Sequence, residues 1–148
     1  MYETLGFGHV QLPETDMHTT AMWWTLPENL ASRVPSDRLK NGMMGIANLL
    51  RIVCPLYLMC APQDVAVLYQ VKSPFTDKPT IILYDNTPGG VGLSQKAYAM
   101  QDMLLDRALQ IVQDCPCENG CPSCAGPMGE IGMNGKATAL TLLKELTR

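Results

Sequence analysis

The sequence has few aromatic residues and histidines and no excess of basic charge. Aromatic residues make up 6% of the 148 residues, and the formal net charge is −3. No overall basic field is therefore present to attract nucleic acid. The sequence also contains neither a Walker A motif nor the Asp-Glu-x-His or Asp-Glu-x-Asp tetrapeptides of ATP-dependent motors. We expect that this chain alone does not hydrolyse ATP and is not an enzyme.

Long uninterrupted hydrophobic runs are absent as well. The most apolar stretch, residues 43–60, has roughly the length of a membrane-spanning helix, but Asn48, Arg51 and Pro55 interrupt it. Each of these is costly or disruptive in hydrocarbon. We predict a buried core helix, bent or ended near Pro55, in a soluble protein with no membrane partner. Met1 precedes Tyr-Glu-Thr rather than the basic and apolar regions of a signal peptide, which favours a cytoplasmic location.

Cysteine, by contrast, is concentrated in one place. Four of the six cysteines lie within ten residues, with the spacing C-x-C-x3-C-x2-C. They are Cys115, Cys117, Cys121 and Cys124. The prolines and glycines between them let the chain reverse tightly, so the four sulfurs can converge. Four thiolates match the tetrahedral coordination of structural Zn²⁺ and leave no open position for catalysis. We predict a structural zinc site.

Two alternatives to zinc remain open. Four cysteines allow three disulfide pairings, although disulfides persist mainly in oxidising compartments. Cys121 and Cys124 also have the C-x-x-C spacing of thiol-redox proteins, but such a protein needs only two cysteines. The remaining pair, Cys54 and Cys60, lies in the apolar helix, and we predict buried thiols there rather than ligands.

A glycine-rich segment, residues 85–93, is the second candidate site. It follows a predicted buried strand and precedes a predicted helix, a position in which backbone N–H groups can contact phosphate. The candidate contacts are Thr87, Gly89, Gly90 and Gly92. The segment matches neither the dinucleotide fingerprint nor the P-loop pattern. A turn built on positive-φ glycines is the preferred interpretation, with Asp85 capping or orienting the loop.

The hydrophobic pattern predicts the order of the elements in one domain over residues 1–148. In chain order these are strands over 5–12 and 18–26, a helix from about Asn41, strands over 65–71 and 80–84, and helices over 94–114 and 135–146. The apolar run of the third strand is typical of a central strand buried on both faces. We predict an α/β or α+β domain, in which helices pack on a central sheet and the four-cysteine loop lies between the last two helices.

The assembled motifs resemble a known family. They are the series His18-Thr19-Thr20-Ala21, the segment 84–93 and the four cysteines. Together they resemble the C-terminal zinc-binding (MZB) domain of MrfA/YprA-type helicases, which are superfamily 2 DEAD/DEAH-box proteins implicated in DNA repair. The resemblance covers nearly the whole chain.

The resemblance implies that Cys115, Cys117, Cys121 and Cys124 bind zinc. It also implies that the domain packs on helicase motor domains and supports their ATP-dependent 3′–5′ translocation and unwinding on single-stranded DNA. Since no motor is present here, we expect a C-terminal accessory fragment of a larger helicase, with the motor as its partner in cis or in trans. A zinc module that serves only protein–protein interaction remains an alternative, and the acidic balance predicts weak DNA binding by this chain alone.

Overall fold

The computed structural model describes residues 5–12, 17–73 and 78–147. Its strands are β1 (Leu5–Leu12), β2 (Met17–Thr25), β3 (Val65–Gln70) and β4 (Thr80–Asp85). Its helices are α1 (Glu28–Ala31), α2 (Ser36–Leu58), α3 (Leu93–Ala99), α4 (Gln101–Asp114), α5 (Met128–Ile131) and α6 (Gly135–Leu146). The predicted mixed α/β architecture is confirmed. A helical turn, α5, lies between the cysteine loop and α6.

The four strands form one antiparallel sheet in the order β1-β2-β4-β3. Met22 lies opposite Leu83, and Trp23 lies opposite Ile82. Because side chains alternate along a strand, these two pairs face opposite sides of the sheet. Met22 and Leu83 belong to the core cluster that includes buried residues of α2 and α3. Helices α2 and α3, which both contact the sheet, therefore lie against the same face of it.

Strand β3 corrects one prediction. Residues 65–71 were expected to form a central strand, but within the described part of the chain β3 pairs only with β4 and lies at the sheet edge. Its apolar run has a different origin. Val65 and Val67 are buried against α2, while Leu68 is half-buried beside its cross-strand partner Ile82 on the other face. A strand with apolar residues on both of its faces therefore need not have a neighbouring strand on both of its edges.

Helix α2 is the central helix of the core. It contacts β3, α4 and α6, and it begins five residues before the predicted start because its first turn is polar and gives no hydrophobic signal. Gly42 and Gly45 allow α6 to approach closely. A Cβ atom on Gly42 would lie 2.5 Å from Cγ2 of Thr138, and one on Gly45 would lie 3.1 Å from Cβ of Ala139.

The helix predicted over residues 94–114 is interrupted. Met100 adopts φ −108° and ψ 19°, which ends α3 before α4 begins. The two helices pack on different parts of the molecule, since α3 contacts the sheet and α4 contacts α2 and α6. The apolar stripe continues across Met100 without a glycine or proline, so the pattern gave no sign of the break.

Across the described ranges, we find no helix with both the length and the apolar character needed to cross a membrane.

We expect Gly42→Val to destabilise the fold by about 1–3 kcal/mol relative to Gly129→Val. The valine at position 42 would overlap Thr138, whereas a side chain at Gly129 meets no atom within 4 Å. Both substitutions replace a helical glycine with a β-branched residue, so the difference between them reports mainly on the contact with α6. Chemical denaturation of the two variants measures that difference, and equal stabilities would contradict the proposed close approach.

Candidate metal centre

The four-cysteine cluster lies in the loop that joins α4 to α5. Cys115 directly follows α4, and the N–H groups of Cys124 and Gly126 both donate to the carbonyl of Cys121, at 3.1 and 3.0 Å. Gly120 and Gly126 have φ values of 122° and 111°, which side chains rarely permit. A Cβ atom on Gly120 would also overlap the carbonyl oxygen of Gly126. These two glycines make the chain reversal that brings the cysteines together.

The four sulfur atoms converge as predicted. The Sγ–Sγ distance is 3.5 Å for the pairs Cys115–Cys117, Cys115–Cys121 and Cys117–Cys124. It is 3.7 Å for Cys121–Cys124. All four sulfurs lie within 4.8 Å of one another. Sulfurs held about 2.3 Å from a tetrahedral zinc ion would be about 3.8 Å apart. A disulfide would need about 2.05 Å, and these cysteines are free thiols. The set fits one tetrahedral ion.

The cysteines of the cluster differ in electrostatic environment. Burial raises the pKa of the Cys117 thiol, but the Lys136 ammonium and the neighbouring thiols lower it by more, to about 6. Burial raises the pKa of the Cys124 thiol to about 12. The Lys136 ammonium therefore favours the thiolate form of Cys117, whereas burial disfavours the charged form of Cys124. Coordination of a metal ion deprotonates the thiols that bind it.

Lys136 is a residue of this site that sequence analysis missed. Its ammonium donates to the carbonyl oxygens of Cys115, at 3.0 Å, and Cys117, and it lies 3.2 Å from Sγ of Cys117. Lys136 is the second residue of α6, well beyond the cysteine motif. Nothing in the local sequence distinguished it from a surface lysine.

A polar pair on α2 supports the other end of the loop. The Asn48 side-chain amide donates to the carbonyl of Ala125 at 3.0 Å, and Arg51 donates to Asn48 Oδ1 at 2.7 Å. Arg51 also donates to the carbonyl of Val67 in β3 at 2.5 Å. The two polar residues that argued against a membrane helix therefore connect the cysteine loop to the sheet.

The glycine-rich loop is organised by Asp85, as predicted. The carboxylate of Asp85 is buried and accepts the backbone N–H groups of Val91, Leu93 and Ser94 at 2.6, 3.1 and 2.7 Å. It thus caps the start of α3 from the end of β4. Gly89, Gly90 and Gly92 have φ values of 83°, 81° and 93°, as a turn built on positive-φ glycines requires.

The same loop is fastened to β2. Thr19 Oγ1 donates to the carbonyls of Asp85 and Thr87 at 2.7 and 3.1 Å, and the N–H of Gly89 donates to the carbonyl of His18 at 2.8 Å. Ser94 Oγ donates to Thr20 Oγ1 at 2.9 Å. The His-Thr-Thr series and the glycine loop are thus two halves of one hydrogen-bonded arrangement.

Phosphate contact at this loop stays a prediction. Of the four candidate residues, Thr87, Gly89 and Gly92 are exposed and Gly90 is half-buried. Several of the loop's N–H groups are already used within the chain, because Gly89 donates to His18 and Gly90 donates to the carbonyl of Thr87.

The fold and the four convergent sulfurs define an α+β domain with a four-cysteine cluster that could hold a metal ion. The family model described as the MrfA Zn-binding domain matches residues 46–125, which include the glycine loop and all four clustered cysteines. The chain belongs to this family, called MZB.

Individual relatives are helicases. The chain is 37% identical over 146 residues to the uncharacterized ATP-dependent helicase YprA of Bacillus subtilis (strain 168), a match that covers 99% of this chain and 19% of the relative. It is 22% identical over 126 residues to the ATP-dependent helicase HRQ1 of Saccharomyces cerevisiae, covering 76% of this chain and 12% of that protein. A crystal structure of the DUF1998 helicase MrfA bound to DNA superposes with a TM-score of 0.78 and 36% identity, over 88% of this chain and 17% of that one. The chain thus spans less than a fifth of the length of these relatives.

We expect Asp85→Ala to destabilise the fold by about 2–4 kcal/mol, because three backbone N–H groups lose their shared acceptor. Asp106→Ala, which removes an exposed carboxylate from α4, should change the free energy of unfolding by no more than about 0.5 kcal/mol. Denaturant unfolding of both variants tests this. An Asp85→Ala protein as stable as the control would show that the cap does not hold the loop.

Proposed function

We propose that Cys115, Cys117, Cys121 and Cys124 bind one Zn²⁺ as a structural centre. The convergence of four sulfurs with spacings near those of a tetrahedron carries this proposal. Membership of a zinc-binding family supports it. The thiols must stay reduced to act as ligands, which agrees with a cytoplasmic location.

The zinc ion would act on the fold and not on a substrate. Four thiolate ligands complete its coordination, so no position is left for water or a reactant. Much of the loop around it is exposed, at Pro116, Glu118, Pro122 and Ser123, and only its end at Cys124 and Ala125 belongs to the hydrophobic core. Metal coordination would supply ordering free energy to the exposed part of this loop.

We further propose that the chain is one accessory domain of a helicase and is not itself catalytic. The relatives named above are ATP-dependent helicases of which this chain matches less than a fifth. Motor domains, in cis or in trans, would hydrolyse ATP, and this domain would support their 3′–5′ translocation and unwinding. The complete protein would act on single-stranded DNA. The DNA-bound state of the MrfA crystal structure supports DNA as its partner.

Purified protein should contain one zinc ion per chain, and Cys121→Ser should lose most of it because one of four ligands is removed. Cys60→Ser, which changes a half-buried thiol outside the cluster, should keep full zinc content. Elemental analysis with thiol counting measures both. A folded, metal-free protein with four accessible clustered thiols would contradict the zinc site, and disulfide-reductase turnover would favour the thiol-redox alternative.

A chimera tests the accessory role. The segment of the Bacillus subtilis YprA helicase that matches this chain is replaced by the chain itself, and ATP-dependent unwinding of a 3′-tailed duplex is measured. We expect unwinding to be retained and to fall at least about tenfold when Cys121 and Cys124 are both changed to serine. The chimera with Cys60→Ser serves as control. Full unwinding with the cysteines removed would favour a module that only recruits protein partners.

A further inference from the structure

Lys136 forms a compact set of contacts with the first two cysteines of the cluster. A lysine ammonium has three N–H donors, and here three acceptors surround it: the carbonyls of Cys115 and Cys117 and Sγ of Cys117. The side chain is half-buried, so part of its hydration is replaced by these contacts. Since Lys136 belongs to α6, the contacts join that helix to the opposite end of the cysteine loop.

The net negative charge of the proposed centre explains why a cation in contact with it is favourable. One Zn²⁺ with four thiolates carries a net charge of about −2, and Cys124 at its inner side is fully buried. Excess negative charge in a partly desolvated site is unfavourable unless positive charge or hydrogen-bond donors compensate it. The Lys136 ammonium supplies both, and it reduces the net charge of the assembly to about −1.

We propose that Lys136 is a charge-compensating and positioning residue of the zinc centre. It strengthens zinc binding by neutralising one thiolate charge and by holding the Cys115–Cys117 segment in its coordinating conformation. This inference rests on the proposed zinc site. Lys136 lies outside the residues 46–125 that match the family model, so the assignment comes from the geometry of this chain alone. Groups that hydrogen-bond metal ligands typically change metal affinity 10–100-fold when removed.

The test uses the whole chain and measures zinc affinity by competition with a chelator. Lys136→Met removes both the charge and the donors and should weaken zinc binding about 10–100-fold. Lys136→Arg keeps a positive charge and N–H donors at this position, and it should retain most of the zinc affinity of the unaltered chain. Lys144→Met removes an exposed lysine from the same helix and should leave the affinity unchanged. Circular dichroism confirms that each variant is folded.

A spectroscopic measurement separates this role from a general loss of stability. With Co²⁺ in place of zinc, loss of the hydrogen bond to Cys117 Sγ raises the energy of the sulfur lone pairs, so the sulfur-to-cobalt charge-transfer band should move to longer wavelength in Lys136→Met. The band should stay in place in Lys144→Met. Equal affinity and an unshifted band in Lys136→Met would overturn the inference.

Two further outcomes are distinguishable. If Lys136→Met does not fold, Lys136→Gln takes its place, because it keeps amide N–H donors but carries no charge. Unchanged zinc affinity in that variant would overturn the charge-compensating role of Lys136. If the unaltered chain binds no metal, the zinc site itself is wrong and the role of Lys136 falls with it.

Discussion

The close approach of α2 to α6 is the contact on which the rest of the structure depends. Gly42 and Gly45 have no side chains at the point where the two helices meet, so Thr138 and Ala139 pack directly against the α2 backbone. Gly45 also faces Ala125, whose Cβ would lie 3.2 Å from an added methyl group. Gly42 and Gly45 therefore determine where α6 and the end of the cysteine loop lie. Because Lys136 belongs to α6, they also determine where its ammonium lies beside the sulfurs.

The two candidate sites are ordered by different interactions. In the glycine loop, one buried carboxylate, that of Asp85, collects the N–H groups of the following turn, and Thr19 fastens the loop to the neighbouring strand. In the cysteine loop, the backbone has only a few such bonds, and the sulfurs themselves face one another at its centre. The described contacts that order the first loop are made by protein groups, whereas the second loop has an arrangement that a cation would complete.

The parts of the molecule that sequence predicted are those encoded locally. The four clustered cysteines lie within ten residues and their spacing is itself the signal. Asp85 is the first residue of the loop that it caps. The contributions of Lys136, Asn48 and Arg51 depend on which helices meet, and no local pattern records that. The edge position of β3 has the same cause, because its apolar run reflects contacts with α2 and β4 and not its place in the strand order.

The hydrogen bonds of Asn48 and Arg51 have a consequence for how this sequence can vary. One asparagine–arginine pair serves two backbone carbonyls, that of Ala125 beside the cysteine cluster and that of Val67 in an edge strand. A substitution at position 48 therefore affects both regions at once, since Asn48 also orients Arg51. Gly126 is subject to the same constraint, because a side chain there would collide with the Asn48 amide. Substitutions at positions 48, 51 and 126 are therefore coupled, although these residues lie in distant parts of the chain.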